Sequence, residues 1–194
     1  MSIYQLKSQF QNQLRPISDE LAKQGFTANQ VTVSAIALSG ATAYVIAYQA
    51  DKTPMLWYSL PISLFMRMAM NAIDGMMAKE HGQASTLGAW LNEMGDIVSD
   101  RVLIASLSPH LRSHRTALKS VQRLTLTTEI VASASQQMVN QRANQGPLGK
   151  SDRAFELGVI GVLTGAGFSL LPYARYIFLP NHLLLIQTIL NRMP

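Results

Sequence analysis

The 194-residue chain contains no cysteine, which excludes disulfides, thiolate metal sites and a thiol nucleophile. Charge is scarce as well: Asp, Glu, Lys and Arg make up 14% of it, against about a quarter in ordinary soluble domains. What charge there is leans positive, +5 overall. That balance suits an anionic lipid surface or a phosphorylated substrate. It is too slight and too scattered for a nucleic-acid interface. The polar N-terminus, MSIYQLKSQFQNQLRPISDELAKQGF, lacks the apolar centre of a signal peptide. Internal repeats and low-complexity tracts are also missing, so the length implies one domain with one sizeable core.

What is present is apolar sequence in long runs. Val31–Tyr48 carries no charge, Pro54–Ile73 carries only Arg67, and Phe155–Tyr173 carries only Glu156. Runs of this length match the roughly 20 residues needed to cross a hydrocarbon core. Buried helices of a soluble bundle would need polar faces at helical spacing, and 31–48 offers only Ser and Thr for one. The expected fold is all-α, an integral membrane bundle of about six transmembrane helices over 29–50, 54–80, 85–108, 116–141, 154–173 and 176–191. The fourth of these is polar and needs shielding by its neighbours. Ahead of them, Ile3, Leu6, Phe10, Leu14, Ile17 and Leu21 recur every three or four positions, as on an interfacial helix. The expected organisation is therefore an amphipathic juxtamembrane helix over 1–26 and a transmembrane domain over 27–194. Lys7, Arg15 and Lys23 put the N-terminus in the cytoplasm, with Lys79, Arg142, Lys150 and Arg153 on the same side. Arg112, Arg115, Lys119 and Arg123 conflict with that topology.

Between the apolar runs lies NAIDGMMAKEHGQASTLGAWLNEMGD, Asn71 to Asp96. On a helix, Asn71 and Asp74 share one face. Asn92, Asp96 and Asp100, at spacing four, share another that drifts by about 40° per step. Gly75 and Ala78 keep the first face open, and Gly88 and Gly95 allow close helix approach. Two converging faces of hard oxygen donors suit Mg²⁺ or Mn²⁺ rather than zinc. Simple interhelical hydrogen bonding is the alternative for these residues, and a small ion-coupled transporter would also bury Asp pairs.

The order Asn71-x-x-Asp74-Gly75-x-x-Ala78-Lys79, eight residues, then Gly88-x-x-x-Asn92-x-x-x-Asp96 resembles the signature of the CDP-alcohol phosphotransferases. Theirs reads D-x-x-D-G-x-x-A-R-x8-G-x-x-x-D-x-x-x-D, and every spacing is met. The resemblance implies a membrane enzyme with its active site near the cytoplasmic face. An acceptor hydroxyl attacks the β-phosphorus of a CDP-linked donor, usually CDP-diacylglycerol, and CMP leaves. It further implies metal ligands at Asn71, Asp74, Asn92 and Asp96, with Asp96 also the general base. Gly75, Ala78, Lys79 and Gly88 fall at the motif's substrate-binding positions. TANQVT resembles the family's T-P-N-x-x-T and points to Asn29 and Thr32 at the nucleotide, where helix capping is the alternative role. Lys150 and Arg153 stand where the family holds phosphate, or act as positive-inside anchors.

The departures are Asn at the first and third motif positions and Lys79 for Arg. Each Asn keeps a carbonyl oxygen but loses a full negative charge, so two carboxylates remain to balance one divalent ion, with Asp100 and Glu93 in reserve. Lys79 meets a phosphate as a point charge rather than a fork. The combination resembles a bacterial branch of the family, which implies the inner membrane. The expected partners are a CDP-lipid, an alcohol acceptor and membrane lipids, with a homodimer compatible with the pattern. A catalytically impaired member that binds a CDP-lipid or scaffolds other enzymes is the competing function. Glu129 is an acceptor-pocket group or a partner for Arg123.

Overall fold

The computed structural model describes residues 3–139 and 145–193. Arg142 and the side chains of Ile3, Leu6 and Lys7, used above for topology and amphipathicity, lie outside the described parts. Among the described residues all regular structure is helical: α1 (Ile3–Lys23), α2 (Ala28–Tyr48), α3 (Ser59–Glu80), α4 (Thr86–Ala105), α5 (Arg115–Val139), α6 (Lys150–Gly165) and α7 (Ala174–Arg192). The expected second segment, 54–80, divides into a 3₁₀ turn at Pro54–Tyr58 and α3. A proline at the head of that turn has no N–H to contribute and sets its own φ.

The α1–α2 junction shows how the breaks are written. Gly25 takes φ 85°, a conformation open to a residue without Cβ. Its N–H reaches Ala22 O at 3.1 Å while Phe26 N–H reaches Leu21 O at 3.0 Å, the paired bonds that close a helix C-terminus. Thr27 then opens α2. Its Oγ1 accepts from Gln30 N–H at 3.2 Å and Gln30 Oε1 accepts from Thr27 N–H at 2.8 Å, a reciprocal capping box. Thr27, not Asn29, is therefore the cap.

The chain forms two compact units, Met1–Gly40 with Ser63–Ser99 and Ala41–Ile62 with Asp100–Pro194. In the first, Ala28, Val31, Ile73, Met76 and Met77 make a buried cluster onto which Leu14, Leu21 and Ala22 of α1 pack. An ion pair, Arg15 to Glu80 at 2.9 Å, and a contact of His81 Nε2 with Asp19 Oδ1 at 2.9 Å hold α1 to the end of α3. In the second, α5 packs along α7. The polar face of α5, with Thr125, Thr128, Glu129 and Ser135, is turned inward and buried. That inversion supplies the shielding its composition demands.

Large apolar side chains are exposed in stripes at helical spacing. They include Ile62, Phe65 and Met66 on α3, Phe155, Val159 and Val162 on α6, and Leu179, Leu183, Ile186 and Leu190 on α7. Among the described residues one helix, α2, is long and apolar enough to cross a membrane. Of the two tryptophans, Trp57 is buried against the His110 ring at 4.7 Å, and Trp90 is exposed.

Candidate functional site

α3 and α4 lie side by side in opposite directions. Asn71 and Asp96 are hydrogen-bonded between them, and Asp74 and Asn92 line one cleft. α2 closes the third side. Gly88 makes this possible: a Cβ there would stand 2.7 Å from Asn29 Oδ1 of α2. Gly95 likewise brings α4 onto α2, where a Cβ would meet Ile36 Cδ1 at 2.7 Å. Gly75 differs, since open space surrounds its Cβ direction.

The cleft so formed, of about 220 Å³, is lined by Asn29, Thr32, Asp74, Gly75, Ala78, Lys79, Gly88 and Asn92 together with Gln83 and Ser85. Eight residues expected from sequence thus come together. Asp74 is buried, and Thr32 Oγ1 donates to its Oδ2 at 2.6 Å. Thr32 therefore orients the carboxylate, a role its place in TANQVT did not reveal. Gln83 Oε1 accepts from Ala28 N–H at 2.6 Å, tying the α3–α4 loop to the start of α2. Lys79 stays exposed at the cleft.

Asn71 and Asp96 stand one turn along their helices from Asp74 and Asn92, in a cluster of their own. Asp96 Oδ1 accepts from Asn71 Nδ2 at 3.1 Å and from Arg67 at 3.3 Å. Sequence reading treated Arg67 as an interruption of an apolar run. The available signal was its spacing, one turn before Asn71 and two before Asp74 on the same face.

Arg153, expected at a phosphate, is buried, and one of its terminal nitrogens donates to Asp100 Oδ2 and Glu129 Oε1, each at 3.0 Å. A cation placed among carboxylates in the interior is neutralised by them. For the same reason Asp100 is engaged by Arg153 rather than held in reserve beside Asp96. Glu129, for which Arg123 was one candidate partner, pairs with Arg153, with Lys150 at 3.5 Å and with Arg192 at 3.6 Å. Lys150, Glu129 and Arg192 line a polar pocket of about 420 Å³ with Gly149 and Asp152.

The motif's donors are oxygens: Asp74 and Asn92 in the cleft, and one turn away the Asp96 carboxylate and the side-chain carbonyl of Asn71. Among the described residues no three of His, Cys, Asp and Glu gather as a metal cluster, because two positions of this set are amides. Hard donors with two negative charges fit one divalent ion such as Mg²⁺ or Mn²⁺.

The family model for CDP-alcohol phosphatidyltransferase matches residues 26–188. The chain belongs to that family. Inner membrane protein YnbA of Escherichia coli strain K12 is 37% identical over 192 residues, 99% of this chain and 94% of that protein. Among solved structures, Mycobacterium tuberculosis phosphatidylinositol phosphate synthase PgsA1 with CDP-DAG bound gives a TM-score of 0.70 at 18% identity, over 92% of this chain and 89% of that one. The same synthase in complex with manganese and citrate gives 0.68, also at 18% identity, over 92% and 85%. At such identity the likeness establishes the fold, a membrane phosphatidyltransferase fold. CDP-alcohol phosphatidyltransferases are membrane proteins that use divalent metals such as Mg²⁺ or Mn²⁺.

Proposed function

We propose that this phosphatidyltransferase-family protein transfers a phosphatidyl-type group from a CDP-linked lipid such as CDP-diacylglycerol to an alcohol, releasing CMP. The carrying observation is the cleft in which Asp74, Asn92, Lys79, Asn29 and the three small motif residues converge. Asp74 would hold the metal, with Asn71, Asn92 and Asp96 as the remaining donors of the motif. When bound, a divalent ion neutralises pyrophosphate charge and polarises the phosphoryl group. Thr32 keeps the Asp74 carboxylate in one rotamer. Asn29 contacts the nucleotide, Lys79 meets a phosphate oxygen, and Gly75, Ala78 and Gly88 leave room for the pyrophosphate. Asp96, held through Oδ1 by Asn71 and Arg67, takes the acceptor's proton as the new O–P bond forms and the P–O bond to CMP breaks.

The outward apolar stripes of α3, α6 and α7 and the inward polar face of α5 support a multi-pass bundle of about six spans in a bacterial inner membrane. A cytoplasmic N-terminus and cleft follow from the Lys and Arg near α2. The test is CMP release by the detergent-purified chain from CDP-diacylglycerol, across a panel of alcohols and with Mn²⁺ titrated, with mass spectrometry of the lipid product. A new head group identifies the acceptor. The two amides in the motif favour one second reading, a catalytically impaired CDP-lipid binder. Thermal stabilisation by CDP-diacylglycerol and Mn²⁺ without CMP release from any alcohol would establish that reading instead.

Thr32→Val removes the hydroxyl that donates to Asp74 while keeping the side chain's shape. Outer-shell partners of this kind change metal affinity or activity about 10–100-fold. A loss of that size in Mn²⁺ affinity, with the melting temperature little changed, is the expected result of a Mn²⁺ titration.

A further inference from the structure

We infer that Arg67 is the resident counter-ion of Asp96 and limits the cleft to one divalent cation, so that a protein guanidinium stands in for a second metal. The inference rests on the phosphatidyltransferase reading and deepens it. Arg67 reaches Asp96 Oδ1 at 3.3 Å, with the two side chains only 11% and 18% exposed. This is a largely desolvated pair, little screened by salt, and unlike a surface bridge it is held in place by its surroundings.

The second donor to the same oxygen is Asn71 Nδ2, at 3.1 Å. Arg67 and Asn71 therefore act as one device. Both turn N–H groups toward Asp96, which is the polarity opposite to that of a metal-ligand pair. A carboxylate at position 71 would face Asp96 with like charge and would need a cation between them. An amide needs none, because its nitrogen donates. The substitution of Asn at that position and the presence of a buried Arg one turn earlier thus have one electrostatic cause.

Charge counting points the same way. Asp74 and Asp96 carry two negative charges, and Arg67 already returns one. One divalent ion leaves the cluster at net +1 before any substrate arrives, and a second would leave it at +3. A surplus of +1 suits the docking of an anionic pyrophosphate. A surplus of +3 in a partly buried site is strongly unfavourable.

The experiment is Mn²⁺ stoichiometry and affinity of the full chain in detergent, by isothermal titration and electron paramagnetic resonance. Wild type is expected to bind one Mn²⁺ with an uncoupled spectrum. Arg67→Gln should tighten that binding about tenfold, and Arg67→Lys should leave it near wild type. Asn71→Asp alone should still bind one, because the added carboxylate pairs with Arg67. Arg67→Gln combined with Asn71→Asp should bind two, with spin coupling between them. Two Mn²⁺ in wild type or in Asn71→Asp overturns the inference. So does an Arg67→Gln affinity equal to wild type, which needs no second substitution to be tolerated. A wild type that releases CMP yet binds two ions sinks only the role of Arg67. A wild type that neither binds Mn²⁺ nor releases CMP sinks the catalytic reading as well.

Discussion

Asp96→Asn is expected to cut CMP release about 10²–10⁴-fold, the range for losing a positioned general base, and Asp74→Asn is expected to abolish it. Asn is isosteric with Asp and still accepts a hydrogen bond, so a carboxylate serving only to pack helices would tolerate the change. At Asp74 the Thr32 hydroxyl can donate to the amide oxygen as it does to the carboxylate, and stability should hold. At Asp96 the exchange removes the Asp96 charge from beside the buried Arg67, which has a stability cost of its own. Combining Asp96→Asn with Arg67→Gln removes that cost. The double variant should regain its melting temperature and stay inactive, which separates chemistry from folding. Wild-type turnover and metal dependence in both single variants would mean that neither carboxylate takes part.

Arg153→Gln has a large expected effect of a different kind. Glu129 and Asp100 both depend on this guanidinium in the interior. Removing one partner of a buried pair costs up to about 3–5 kcal/mol, and because Arg192 and Lys150 still face Glu129 at 3.6 and 3.5 Å the loss falls toward the lower end of that range. In a protein of this size that lowers the melting temperature on the order of 10 °C. Lys150→Gln should cost under about 1 kcal/mol, since Lys150 lies at 3.5 Å from Glu129 and is partly solvated. Adding Glu129→Gln to Arg153→Gln should return part of the lost stability. A raised KM with an unaltered melting temperature in Arg153→Gln would restore the phosphate-binding role expected from sequence.

The contrast between these two residues shows what can be read from sequence. Most helix limits fall within a few positions of expectation because they are written locally, as at Gly25 and Thr27; the exception is α6, which ends at Gly165 rather than near 173. The cleft was legible for a related reason: spacings of three and four put Asp74 and Asn92 on defined faces, and a short α3–α4 connection brings those faces together. Arg67 was overlooked although its spacing relative to Asn71 was in view, because one charge in an apolar run reads as an exception rather than a partner. For Glu129 the nearby Arg123 was one of two readings, yet the partners seen lie on α6 and α7, up to 63 positions later. Such pairing is decided by tertiary packing, and no local periodicity records it.

That separation has a consequence for how the chain is made. Glu129 leaves the ribosome before Lys150, Arg153 and Arg192 exist, and elongation at about 5–20 residues per second makes the wait on the order of seconds. During it the polar face of α5 has a buried carboxylate's cost and none of its compensation, so α5 cannot settle until α6 and α7 have been synthesised. The side-chain pairings of the unit that carries the cleft obey no such delay. Arg15 with Glu80, Asp19 with His81 and Arg67 with Asp96 are all complete once Asp96 has emerged. The half that carries the cleft thus has these pairings in place while its companion is still being translated.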